Sequence, residues 1–275
     1  MPRMKDGFEV DKLGLIPEAI CQSDLHSHKK QHEIILYLEG DSRYYIEGNI
    51  YNLSPGDLVL AANDELHRVI HNSPKFYARY LIFIDIDFFA KNNCEDLAAA
   101  FENKLPGYGN FYSSDYVKSS GIINTVERLY KYCIEGEETV AKGALFELLY
   151  LLKKAVNVQE KPKYASIHIQ NIIVYIKENL SGDLSLETLS KHFNLNAAYM
   201  SRLFKKHLKI SIKKYVTYKR LLYARQLRRQ GKTLLSASIE AGFVNYSTFY
   251  KEYVREFGKK PRDDSWSDAA AVSTE

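Results

Sequence analysis

Leu186-Glu187-Thr188-Leu189-Ser190-Lys191-His192-Phe193-Asn194-Leu195 is followed 48 positions later by Leu234-Leu235-Ser236-Ala237-Ser238-Ile239-Glu240-Ala241-Gly242-Phe243. Each copy spaces its apolar residues for a short helix, reaches a turn former at Asn194 or Gly242, and resumes a helical pattern near Ala198 or Tyr246. Two helices joined by a tight turn make a helix-turn-helix, whose second helix fits the major groove of DNA. One such pattern is weak evidence, whereas two on one basic segment are strong.

The surroundings agree. Ile167 to Leu180 reads as an amphipathic helix ending near Ser181-Gly182-Asp183, and Ser185 is placed to cap the helix that starts at Leu186. Ser211 to Arg229 reads as a long basic helix stopped by Gln230-Gly231. Its roughly 18 residues span about 27 Å, the order of the ~34 Å between successive major-groove faces. The net charge of +4 hides a marked asymmetry: residues 161–262 carry 21 Lys and Arg against 6 Asp and Glu, whereas residues 1–160 carry 17 against 24. Such a split between halves is a nucleic-acid signal.

At 275 residues the chain has room for two or three domains, and 45% hydrophobic with 26% charged residues is ordinary for a globular protein. Cys21, Cys94 and Cys133 are odd in number and widely spaced, which suits buried thiols in a reducing compartment. Met1-Pro2-Arg3-Met4-Lys5-Asp6 lacks the apolar core of a signal peptide. The run from Tyr80 to Ala90 is too short to span a bilayer and is broken by Asp85 and Asp87. The expectation is a cytoplasmic protein with no membrane partner.

Residues 1–90 read as strands: Glu33 to Leu38, Arg43 to Ile46, Ile50 to Leu53, Leu58 to Ala61, and at least one more within Phe76 to Phe88. Turn signals at Glu39-Gly40-Asp41, Glu47-Gly48-Asn49 and Ser54-Pro55-Gly56-Asp57 separate them, a spacing that suggests a sandwich or barrel. Beyond residue 94 the period becomes helical, over Asp115 to Ile134 and Thr139 to Val156, with Gly136 between two antiparallel helices. These helices either pack on the β-domain or form a dimer interface. Gln159-Glu160-Lys161-Pro162-Lys163 is the best boundary candidate.

Residues about 167–262 resemble the AraC/XylS family of bacterial transcription regulators. The resemblance rests on Ala241-Gly242-Phe243, Tyr246-Ser247-Thr248-Phe249-Tyr250-Lys251, Phe257-Gly258 and Pro261. Ala224-Arg225-Gln226-Leu227 and Met200-Ser201-Arg202-Leu203-Phe204-Lys205 also fit. Spacing places Met200, Leu203, Phe204, Phe249 and Tyr253 in the core. The resemblance implies that the opposite positions meet DNA: Ala198, Tyr199, Ser201, Arg202, Lys205 and Lys206 in the first copy, and Asn245, Tyr246, Ser247, Tyr250 and Lys251 in the second. Arg202 is the best candidate for a base contact, because a guanidinium pairs bidentately with guanine. Lys205, Lys206, Lys213 and Lys214 suit phosphate. Two features depart from the family pattern: Ala198 is small, and Tyr246 and Tyr250 stand where polar groups are more usual.

The N-terminal half carries His26-x-His28-x4-Glu33-x6-Gly40, then Gly48, Pro55-Gly56-Asp57 and His67. This looks like the cupin barrel that commonly serves as sensor domain in the family. The resemblance implies that His26, His28, Glu33 and His67 line the barrel, where cupin enzymes hold a divalent metal; imidazole and carboxylate suit Fe, Mn, Ni or Zn. Three roles stay open for them: effector contacts, metal ligation, or internal hydrogen bonding. Tyr37, Tyr44 and Tyr45 lie on neighbouring strands, and Tyr37 and Tyr45 join the effector-contact candidates. No Gly-rich phosphate loop, nucleophile elbow or Cys-x-x-Cys site occurs, so no catalytic residue is assigned.

The expected fold is α+β and multidomain: a cupin-like β-barrel (1–90), a helical segment for dimerisation (91–157), and a linker (158–163). A seven-helix all-α module with two helix-turn-helix motifs (164–262) and a disordered tail (263–275) complete it. The expected function is a non-enzymatic, sequence-specific regulator, more an activator than a repressor. Its expected partners are an operator duplex, a sugar-like effector, RNA polymerase and a second copy of itself, with no obligatory cofactor. The alternatives are a metal-dependent cupin enzyme fused to a DNA-binding module, and a DNA-binding protein that needs no effector.

Overall fold

The computed structural model describes residues 3–17, 23, 26–28, 30–63, 65–102, 107–155, 167–208 and 210–263, with only the backbone for Arg3 and Arg229. They belong to two compact units, Met1–Ser166 and Ile167–Glu275. The segment 158–163, the tail beyond Asp263, and Cys21 lie outside the described residues, while Cys94 and Cys133 are buried free thiols.

The first unit is built from antiparallel strands β1 (Arg3–Met4), β2 (Phe8–Leu15), β3 (Gln31–Glu39), β4 (Ser42–Ile46), β5 (Asn49–Asn52), β6 (Leu58–Ala61), β7 (His67–His71), β8 (Tyr77–Asp85) and β9 (Phe111–Tyr112). One sheet has the order β1-β2-β8-β3-β6-β9 and the other β5-β4-β7. In β3 every residue from His32 to Tyr37 is buried, because both faces of its sheet are covered. Ile35 and Tyr37 pack inward with Tyr44, Ile46, Tyr51 and Val69 of the facing strands and with Tyr77 of the neighbouring β8. Ile34 and Leu36 pack outward with Tyr80 and Ile82 against helices. Two-sided burial explains why this strand reads as a continuous apolar run rather than an alternation.

The helices are α1 (Phe88–Lys91), α2 (Ala99–Glu102), α3 (Ser114–Ser119), α4 (Ile122–Glu135) and α5 (Glu138–Lys154). The expected break at residue 90 does not exist. Val126 and Leu129 of α4, with Leu145, Leu148, Leu149 and Leu152 of α5, share one core with Ile34, Leu36 and Ile82. An apolar sheet face must be covered, and these helices cover it. The sheet itself continues past the expected boundary, since β9 pairs with β6. The single helix expected over Asp115 to Ile134 is two, parted at Gly121, whose φ of +81° ends one helical run before the next begins.

The second unit holds α6 (Ile167–Glu178), α7 (Leu186–His192), α8 (Ala197–Leu208), α9 (Ile212–Arg229), α10 (Leu234–Glu240) and α11 (Tyr246–Phe257). A 3-10 turn at Pro261–Asp263 follows, so the described residues supply six α-helices and one short turn in place of the seven helices expected. Ser185 caps α7 through the Thr188 amide, Ser211 caps α9 through that of Lys214, and Thr233 caps α10 through that of Ser236. Phe204 of α8 packs on Tyr215 of α9 with ring centroids 5.5 Å apart. Phe243, Phe249 and Tyr253 pack on Leu221, Ala224 and Leu227 further along the same helix. The long basic helix therefore carries one helix-turn-helix at each end.

Both turns need a left-handed residue, Asn194 at φ +50° and Gly242 at φ +91°. At Gly242 a second constraint operates: a Cβ there would lie 2.2 Å from the Leu180 carbonyl oxygen and 2.7 Å from Arg220 Nε. Gly242→Ala should thus destabilise the second unit by about 2 kcal/mol or more, from backbone strain plus overlap. Asn194→Gly, which removes only a side chain from a left-handed position, should change stability far less. Chemical denaturation that follows the second unit's transition checks the pair.

Candidate functional site

Position along the recognition helices follows from their caps. Asn196 Oδ1 accepts from the amides of Ala198 at 2.9 Å and Tyr199 at 3.1 Å, and Asn245 Oδ1 accepts from Thr248 N at 2.8 Å. Asn245, expected to touch DNA, therefore has its carbonyl oxygen committed to the helix start. Counting from the caps, the repeat interval is 48 before the turns and 49 after them. The extra residue is Val244, which is 89% exposed, as an insertion pushed outward would be. Arg202 and Lys251 consequently occupy equivalent positions, six residues beyond their caps.

Met200, Phe204, Phe249 and Tyr253 are buried as the spacing required, whereas Leu203, also expected in the core, is half-buried. Ala198, Tyr199, Arg202, Lys205, Lys206, Ser247 and Lys251 are exposed, and Ser201, Tyr246 and Tyr250 are half-buried. Tyr246 lies against the second unit's core, with its ring 5.6 Å from that of Phe249 and 6.3 Å from Tyr250. Packing restrains its ring, while Arg202 and Lys251 take part in no ion pair among the described residues. Unpaired exposed cations at matched positions are suited to phosphate oxygens or base edges.

The two helix-turn-helix units are braced as well as joined. Arg220, on α9, donates to the carbonyls of Leu180 at 2.9 Å and Gly182 at 2.6 Å. Ser181 Oγ donates to the Glu240 carbonyl at 2.6 Å. The loop entering the first motif is thereby held against the turn of the second, which sequence reading did not find. No local pattern connects Arg220 with residues some forty positions away.

The barrel interior holds the other group of residues. His26 pairs with β7 through a bridge to His67, whose amide donates to the His26 carbonyl at 2.8 Å. One ligand atom from each of His26, His28, Glu33 and His67 lies within 4.8 Å of the others. His28 Nε2 is 2.8 Å from Glu33 Oε2, and His67 Nε2 is 3.7 Å from Glu33 Oε1. The Tyr44 hydroxyl donates to the same Oε1, and its ring stacks on His67 at 5.8 Å. His67 Nδ1 donates to the Glu65 carbonyl at 2.8 Å, which leaves Nε2 facing the cluster without a hydrogen-bond partner. Burial pushes the Glu33 carboxyl up, but the imidazoles of His67 and His28 outweigh it and hold the group well below its usual range. Burial works to lower His67, but Glu33 and the Glu65 carbonyl outweigh it and hold the imidazole above its usual range. Three imidazoles, one of them with an inward nitrogen, around an ionised carboxylate fit a divalent ion.

The tyrosine expectations need correction. Tyr45, named for effector contact, points away from Glu33: residues alternate along β4, and Tyr45 instead carries the Arg68 guanidinium 5.1 Å above its ring. Tyr44 takes its place in the cluster. Parity along a strand separates these neighbours, but only the pairing register says which one faces in. Tyr37 does face inward, four residues along β3 from Glu33, with its ring 5.7 Å from Tyr77.

Comparison with known proteins follows the same two parts. A family model described as a helix-turn-helix domain matches residues 189–264, and one described as a cupin domain matches residues 15–84. The HTH-type transcriptional activator RhaS of Escherichia coli (strain SMS-3-5 / SECEC) is 20% identical over 256 residues, covering 90% of each chain. A Chromobacterium violaceum regulator described as AraC-type is 24% identical over 38% of this chain and 95% of its own, with a TM-score of 0.35. Fatty-acid-bound ToxT from Vibrio cholerae strain SCE256 is 13% identical over the whole of both chains, with a TM-score of 0.40. With a cupin domain ahead of the helix-turn-helix module and an activator aligned along nine-tenths of its length, the chain belongs to the AraC/XylS family of transcriptional regulators.

Proposed function

We propose that this regulator activates transcription from an operator read at two successive major-groove faces, under control of a sugar or related polar metabolite bound in the barrel. The observation that carries the DNA part is the matched pair Arg202 and Lys251, exposed on α8 and α11 at equivalent positions. Arg202 is the base reader, and Lys205 and Lys206 supply phosphate contacts. The effector part is supported by the barrel interior, where an ionised carboxylate, imidazoles and a phenol converge. Neutral polyols engage such groups by hydrogen bonding.

The outward faces of α4 and α5 are the proposed dimer surface. Their inner faces are committed to the barrel core, while Ile134, Val140 and Tyr150 are exposed. RNA polymerase is the proposed partner of the activated complex. The effector controls output through its differential affinity for the arrangements of the DNA-binding units, and the barrel carries out no chemistry.

A second reading, a metal-dependent cupin catalyst joined to a DNA-binding module, is favoured by the convergence of His26, His28, Glu33 and His67 on one point. In that case these four residues hold the ion, which supplies a Lewis-acidic centre for a ligand oxygen. Elemental analysis of purified protein separates the readings. The regulator reading expects no metal-dependent turnover, and His26→Ala with His28→Ala should alter effector response first. Stoichiometric metal lost with that pair, together with conversion of a small substrate, would favour the enzyme.

Arg202→Ala should weaken operator binding by about 1–3 kcal/mol while leaving binding to random duplex almost unchanged. Titrations on both duplexes across a salt series check this, and an equal loss on both would assign Arg202 to phosphate. Removal of residues 1–158 should keep DNA recognition and abolish any metabolite response. A fragment with intact folding but no affinity would show that dimerisation through the first unit is required.

A further inference from the structure

The inward face of the barrel has a second polar region, at the far end from Glu33. Tyr37 on β3 stands opposite Arg79 on β8, and Ser42 on β4 stands opposite His71 on β7. Tyr77 lies among them, with its ring 4.7 Å from that of His71 and 5.7 Å from that of Tyr37. The Arg79 guanidinium sits 5.5 Å from the centre of the Tyr77 ring. On β2, Leu13 faces Arg79 and supplies an apolar wall.

This region is under-satisfied. His71 Nδ1 and Ser42 Oγ engage each other at 2.9 Å. By contrast the hydroxyls of Tyr37 and Tyr77 and the Nε of Arg79 are buried with no hydrogen-bond partner among the described residues. Ser42 approaches the Tyr37 phenol, and the guanidinium approaches that of Tyr77, without completing a hydrogen bond. None of the ion pairs among the described residues involves Arg79. Buried polar atoms are ordinarily paired, and several orphans in one place call for an explanation.

The chemistry narrows that explanation. A guanidinium stays charged at any physiological pH and matches the planar oxygens of carboxylate or phosphate. Burial raises both phenols, so they are neutral hydroxyls. Burial and the neighbouring guanidinium lower His71, so it does not compete as a cation. Arg79 and His71 are only half-buried, whereas Tyr37 and Tyr77 are fully buried, so the cation is reached from solvent. Tyr44 links the two ends: its hydroxyl is on Glu33 and its phenol feels the field of Arg79.

We propose that the effector is a small polyhydroxylated molecule bearing an oxyanion, its carboxylate or phosphate docked on Arg79 with Tyr37 and Tyr77, and its hydroxyls directed to the Glu33 and histidine cluster. This rests on the effector reading above and adds the charge of the ligand to it. A neutral sugar leaves Arg79 unmatched. A sugar acid or a sugar phosphate gives it a two-pronged partner.

Thermal melting of the full-length protein tests the idea with four probes at equal concentration: galacturonate, glucose 6-phosphate, and the neutral sugars galactose and glucose. The expected result is a rise in melting temperature with galacturonate or glucose 6-phosphate and little with the neutral sugars. Whichever anion acts identifies the source of the oxyanion. Arg79→Met should bind that anion about 10-fold or more weakly, the factor that one charge-assisted hydrogen bond supplies, and Arg79→Lys should recover part of it. The comparison of anion with neutral sugar in the unaltered protein stands even if a variant folds poorly. Equal shifts from neutral and anionic sugars, or an undiminished anion shift in Arg79→Met, would overturn the proposal and leave the effector reading intact. No shift from any of the probes would count against both.

Discussion

A charged side chain taken out of water must find its counter-charge inside the protein, and that requirement organises the barrel. Burying a carboxylate costs several kcal/mol even after the protein relaxes. Glu33, only 5% exposed, meets it with three imidazoles and a phenol brought from three separate stretches of chain. Those partners hold the group ionised and fix where β3, β4 and β7 face one another. At the opposite end the half-buried Arg79 has an aromatic ring beside it and no anion among the described residues. One interior therefore contains a satisfied charge and an unsatisfied one, and the asymmetry between them is a chemical description of what would fit in between.

The second unit answers a different constraint. Reading two faces of a duplex demands that two helices be held at a fixed separation, and α9 alone fixes only their distance along an axis. The contact between Arg220, the carbonyls of Leu180 and Gly182, and the Gly242 turn removes the remaining freedom. Glycine at that turn is dictated twice, by its backbone angle and by the carbonyl that would meet a side chain. The Asn194 turn, at φ +50°, is formed by asparagine, a residue that enters the left-handed region more readily than most others with a side chain.

The two units also divide the electrostatics. Cationic charge is concentrated where it can meet phosphate, and the barrel half is net negative, so polyanions are attracted to one end of the chain only. Within the basic half, position rather than number separates roles. Lys191 and Lys232 are bound to Glu187 and Glu240, whereas Arg202 and Lys251 project from matched sites without acidic partners. A count of cations does not make that distinction.

Local sequence was enough for features whose physics is local. The helix periods, the cap at Ser185, the turns at Asn194 and Gly242, and most of the buried faces of α8 and α11 each depend on residues within a few positions of one another. The pairing of His26, His28, Glu33 and His67 was legible because the family pattern preserves its spacing. Tertiary structure alone decided the rest. Whether Tyr44 or Tyr45 faces inward depends on strand register. The domain break expected at residue 90 is absent because an apolar sheet face needs covering by α4 and α5. Phe8–Leu15 and His67–His71 become strands only against their partners, since the charged and histidine residues in them carry a weak signal alone. Arg79 acquires meaning when β8 sets it opposite Tyr37, with His71 and Ser42 on the facing sheet. A contact between distant residues leaves no trace in either neighbourhood, so the chain must fold before its chemistry can be read.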